Sequence, residues 1–217
     1  MEKYFFMRPV LGWLAQPRRF NQLLAFTLRG LAVLIVPFSL VTFFKAGKVI
    51  FDLPASGILG GVFFELFFLV AIYSVVHVLF IRARDIEALP GGDYNMFPLA
   101  AILSKAAGET LAAFIGLVAV GGGIFVWFTG KAVAAMLNPP PKFMPLFGDT
   151  TFMGGIEFMV GGVLSAILIL VISALIAEGF KLLTETAERL VASREEKKDE
   201  TNEIMEPTLK LRSGTGY

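Results

Sequence analysis

From Phe158 to Ala177 the chain carries no charged residue, and this run limits the fold more than any other feature. At 1.5 Å of rise per residue it makes a helix of about 30 Å, the thickness of a bilayer's hydrocarbon core. Lipid offers backbone amides no partner, so a segment that crosses it must satisfy them internally, as a helix does. From Glu178 to Leu190 the chain is free of proline while Lys181, Glu185, Glu188 and Arg189 interleave with Leu182, Leu183 and Leu190. That continuation favours helix, so one helix is expected to leave the membrane and stand in water.

Three further stretches have the same apolar character, at 23–44, 57–81 and 98–128. With the fourth at 154–183 they give the expected fold class: an all-α, polytopic integral membrane protein with four transmembrane helices. Composition agrees. The chain is 56% hydrophobic, with a mean hydropathy of +0.72, whereas soluble domains hold about 45–50% apolar residues. A net charge of +1 gives nucleic-acid binding no electrostatic support. Cysteine is absent and His77 is the only histidine, which removes disulfides, thiolate metal ligands, cysteine nucleophiles and multi-histidine centres. No Walker, His-Glu-x-x-His, Gly-x-Ser-x-Gly or Rossmann fingerprint occurs. Neither enzymatic activity nor a cofactor is expected. Asp85, Glu87 and Asp93 offer carboxylates to a divalent cation, but solvated loop carboxylates are the expected reading.

The flanks divide the chain into three parts. Residues 1–22 mix Tyr4, Phe5, Phe6 and Trp13 with Lys3, Arg8, Arg18 and Arg19. Aromatic and basic side chains together suit the headgroup zone, so an interfacial N-terminal segment is expected there. The transmembrane domain covers 23–183, with Pro37 expected to kink the first span. Residues 184–217 are expected to form a cytoplasmic charged helix and tail, helical to about 198 and, unless a partner orders it, extended or disordered from Asp199 onward. Between spans three and four, Pro139, Pro140, Pro141 and Pro145 predict a stiff, extended loop. Spans two and four each open on a glycine pair (Gly60-Gly61 and Gly154-Gly155) and soon meet a glutamate. Two related helical hairpins would give this pattern, and so would chance in glycine-rich helices.

With four spans both termini share a side. That side carries Lys3, Arg8, Arg18, Arg19, Arg82, Arg84, Arg189, Arg194, Lys197 and Lys198, against Lys45, Lys48, Lys131 and Lys142 on the other. The positive-inside rule then places both termini in the cytoplasm, and a bacterial cytoplasmic membrane is the expected location.

Charged groups fall inside the predicted spans. Arg29, His77, Lys105, Glu109 and Glu178 lie toward the inner half, and Glu65 and Glu157 toward the outer half. Each is costly at mid-helix unless it faces protein or water. Arg29 and Lys105 are expected to balance Glu109 and Glu178, with Arg29 touching one or both and His77 as a hydrogen-bonding neighbour. Lys105 and Glu109 also share one helix face at i, i+4. Such a set serves either as a proton or ion relay or as interhelical pairs that fix helix order. Glu65 and Glu157 have no evident cation among the spans. Each is then neutral, reached by water, or paired across a subunit boundary.

Gly108, Ala112 and Gly116 recur at spacing four, as do Gly162, Ala166 and Ala174 with Leu170 between them. Small residues in that pattern let helix backbones approach closely in lipid. Gly121-Gly122-Gly123 is expected to bend or loosen the third helix. Two small-residue stripes, two uncompensated carboxylates and a charged extension together suggest a non-enzymatic membrane subunit. Its expected partners, besides the lipid bilayer, are copies of itself or other subunits of a membrane complex. A small proton- or ion-coupled transporter or channel using the Arg and Glu groups is the alternative.

Overall fold

The computed structural model describes residues 17–90, 96–133 and 150–213. They form four helices, α1 (Pro17–Phe51), α2 (Ala55–Glu87), α3 (Met96–Thr129) and α4 (Phe152–Ser213), with no strand among the described residues. All four are long and apolar enough to cross a membrane. The chain is an all-α protein built to pass the bilayer several times.

The helices outrun the apolar stretches that announce them. α1 begins at Pro17, a residue whose fixed φ and missing N–H suit the first helical position. Residues 17–22 form the first turns of α1; residues 1–16 lie outside the described residues. α1 then continues through Pro37, Lys45 and Lys48 to Phe51. α4 runs on past Asp199 and Pro207 to Ser213, where an extended tail was expected. Glu200, Glu203, Met205, Glu206, Leu209, Lys210, Leu211 and Arg212, about half of that stretch, are strong helix formers. The proline-rich loop at 139–145 lies outside the described residues.

The helices are arranged in a row. α1 packs on α2, α2 on α3 and α3 on α4, and no other pair makes more than marginal contact. α3 is an interior helix, with half of its most apolar stretch buried, against 11% for α1 and 17% for α4. The main core lies where Phe64 and Phe68 of α2 meet Val118, Ala119 and Phe125 of α3, closed by Ile50 of α1 and Phe158 of α4.

This position explains the composition of α3. Gly121, Gly122 and Gly123 point to three different neighbours at close range. A Cβ on Gly121 would stand 2.7 Å from Phe67 of α2; one on Gly122 would reach Phe158 of α4 at 2.5 Å; one on Gly123 would reach the Gly155 carbonyl of α4 at 2.7 Å. The triplet does not interrupt the helix, which runs unbroken to Thr129; packing on two sides removes the room for any side chain there. The end of α3 is set by Gly130, whose φ of 61° is left-handed and whose N–H donates to the Val126 carbonyl at 2.8 Å.

The two small-residue stripes face each other within one protomer. Gly108 of α3 lies against Ser173 of α4, and Gly162 of α4 lies against Ala119 of α3. Gly116 is opposite Ala166, looser, with 3.3 Å from a built Cβ to the alanine methyl. Ala112 is buried in the same seam, whereas Ala174 is exposed and Ser173 takes the contact in its place. Ser104 adds a hydrogen bond from its hydroxyl to the Ser173 carbonyl at 3.2 Å.

Gly162→Ala should therefore destabilise the protomer itself by about 1–3 kcal/mol, the usual cost of overpacking. Gly179→Ala, where a new methyl meets nothing within 4 Å, should stabilise it by up to about 1 kcal/mol. Unfolding titrations in mixed micelles read both signs.

Candidate functional site

At one end of the row each neighbouring helix pair is joined by one ion pair. Arg29 of α1 donates to Glu87 of α2 at 2.6 Å. Arg82 of α2 grips Glu109 of α3 with two nitrogens, its Nε at 2.8 Å from one carboxylate oxygen and its Nη2 on the other. Lys105 of α3 stands 3.7 Å from Glu178 of α4. Two pairs along single helices extend the ladder, Arg82–Asp85 and Lys181–Glu178, both at 2.7 Å.

Helix direction brings these groups to one level. α1 and α3 contribute residues near their starts, α2 and α4 residues far along their length, so alternate helices run in opposite directions. The planar guanidinium of Arg82 suits the role at the centre, because its fork can hold Glu109 bidentately while a third nitrogen reaches Asp85.

Several expected pairings are corrected. Arg29 is bound to Glu87, while Glu109 is taken by Arg82 and Glu178 by the two lysines. Lys105 and Glu109 share a helix face but turn to different neighbours, α4 and α2. His77 does not join the cluster: it is exposed on α2, with its ring stacked on Tyr73 at 5.8 Å between centroids. Asp85 and Glu87 are occupied by arginines, and Asp93 lies outside the described residues. No group of three His, Cys, Asp or Glu fit for a metal ion occurs among the described residues.

Arg82, Asp85 and Glu87 are the members that sequence reasoning missed. Ending the second span at Ile81 made them a flank. The available signal was Arg82 and Asp85 at i, i+3 in a stretch without proline or glycine.

A second level of charge lies toward the other end. Glu65 of α2 turns toward α1, where its Oε1 would be 3.2 Å from a Cβ on Gly47. That oxygen is buried and has no hydrogen-bond partner among the described residues. Glu157 of α4 is exposed, and Lys45 and Lys48 are exposed on α1 beside Gly47. Along α2, Glu65 and Arg82 are separated by about 26 Å; along α4, Glu157 and Glu178 by about 32 Å; along α1, Arg29 and Lys48 by about 28 Å. A hydrocarbon layer of about 30 Å fits between the two levels. The charges thus sit where a bilayer's apolar layer would end, not at mid-depth. Trp127 and Phe152 stack at the Glu65 end, and the Trp127 Nε1–H donates to the Phe152 carbonyl at 2.9 Å, as an interfacial aromatic pair would.

The chain matches no protein-family model, no curated protein and no solved structure.

Three of the ladder's ion pairs tie one helix to its neighbour. Breaking the ladder's centre should cost most. Arg82→Leu leaves Glu109 and Asp85 without their cation and should lower stability by about 1–3 kcal/mol. Arg29→Leu frees only Glu87, an exposed carboxylate, and should cost less than about 1 kcal/mol. A double-mutant cycle with Glu109→Leu should recover much of the Arg82→Leu loss; additive losses would remove the coupling from this account.

Proposed function

We propose that the chain is a non-enzymatic membrane subunit that assembles with copies of itself or within a larger membrane complex. The observation that carries this reading is the length of α4 that no other helix accompanies among the described residues. From Glu178 to Ser213 that helix continues for about 50 Å, while α3, the helix it packs on, starts at Met96, only a few turns beyond the ion-pair level. A lone helix in water is marginal, because most helix stability in proteins comes from packing of an apolar face. Leu182, Leu183 and Leu190 on this stretch are 63%, 51% and 63% exposed. Leu190 is about 18 Å past Glu178, beyond the reach of lipid tails on this account, so a protein surface is the cover that suits it.

Within this reading both termini lie in the cytoplasm, following the bias of basic residues, and the α4 extension presents its leucines there. The proposed setting is a bacterial cytoplasmic membrane. Arg29, Arg82 and Lys105 each reach a carboxylate on a neighbouring helix, which supports a scaffold over a relay.

One observation favours the transporter or channel reading instead. Glu65 keeps a buried, unpartnered carboxylate oxygen at the α1–α2 contact, and a carboxylate in that state is a natural proton carrier.

Native mass spectrometry of gently extracted full-length protein decides between them. Assembly predicts a species heavier than one chain, lost when residues 184–217 are removed while the four spans still insert. A lone monomer whose liposomes pass protons, with the flux abolished by Glu65→Gln, would replace the scaffold with the transporter.

A further inference from the structure

We infer that α2 presents a self-association seam to the membrane and that its occupant is α2 of a second copy of this chain. The inference rests on the assembly reading and names its surface.

The face of α2 opposite its buried side is built from Leu59, Phe63, Leu66, Val70, Tyr73, His77, Phe80 and Arg84. All are exposed, Tyr73 most of all at 69%. Their spacing alternates strictly four and three, the pattern of a left-handed coiled-coil seam and of most helix pairs in membranes. Lipid would cover the apolar members without help. It would not suit Tyr73 and His77. Tyr73 is about 14 Å from the Arg82 level and about 12 Å from Glu65, so its hydroxyl lies near the middle of the apolar layer. Neither side chain has a hydrogen bond among the described residues; the two rings stack on each other.

The chemistry of this pair points to a second copy. A tyrosine hydroxyl donates, and a neutral imidazole both accepts and donates. Across a two-fold axis, Tyr73 of each copy therefore meets an acceptor in His77 of the other, giving two equivalent bonds. An isologous contact needs this reciprocity. Two copies inserted with the same orientation bring their α2 helices together in parallel, which is the arrangement that sets like seam positions side by side. A polar residue at such a position also fixes register.

The chain has no cysteine, so single cysteines in the full-length protein report proximity in liposomes without background. Copper-catalysed oxidation of L66C, V70C and F80C should give disulfide-linked dimers several-fold more readily than V33C on α1 or L168C on α4. Adding Tyr73→Phe with His77→Leu should reduce the L66C yield about three- to tenfold, with helicity unchanged because both side chains are exposed in the protomer. His77→Gln alone, which keeps a donor and an acceptor, should retain most of the yield. Equal cross-linking at all five positions, or a yield unmoved by the double substitution, overturns the seam. Cross-linking that peaks at V33C or L168C also overturns it while leaving assembly standing. No cross-linking anywhere, together with a lone monomer by native mass spectrometry, ends both.

Discussion

Helices in a bilayer gain nothing by hiding apolar side chains from one another, because lipid tails are as apolar as leucine. What remains is close contact, and the fold depends on it at α3. Glycine and alanine occupy both sides of that helix where α2 and α4 cross it. Gly121 admits Phe67, Gly123 admits the Gly155 backbone, and Ala119 fills the notch at Gly162. With α3 fixed between two neighbours, α1 is added through α2 alone, and the result is a row rather than a closed bundle.

Close packing sets how near the helices come, while the ion pairs restrict which helix sits beside which. Arg29–Glu87, Arg82–Glu109 and Lys105–Glu178 each join a pair adjacent in the chain. All lie at one level, about one bilayer core from Glu65, Glu157 and Lys48. At such a depth the charges keep access to water and headgroups, so the cost of burial that applies at mid-membrane does not arise. The exceptions to this separation are Tyr73 and His77, polar groups at depth on an open face, and the long α4 extension. Both are the places on which the proposed assembly rests.

Much of the architecture was legible in the sequence. Apolar runs separated by turn-forming and charged residues give four helices, because an apolar run in lipid has no alternative to a helix. The small-residue stripes were also visible, at spacing four. Boundaries were less so: Pro17, Arg82 to Glu87 and the stretch beyond Asp199 are helical, although hydropathy places them outside the spans. A polar residue in a helix carries no hydropathy signal for it, and propensity alone argues weakly.

By itself, then, the sequence determined the number of helices and their apolar character, since these follow from the solvent a segment must meet. Pairing was decided only by the tertiary structure. Arg29 is expected from the sequence to meet Glu109 or Glu178 and reaches Glu87 instead, because α1 lies against α2. The stripes of α3 and α4, each able to face another chain, face each other, because the protomer places them in register. His77 shares its helix with Arg82 but lies on the opposite side from the core. Which face of a helix meets a neighbour depends on the direction and rotation of both, and no single segment encodes that.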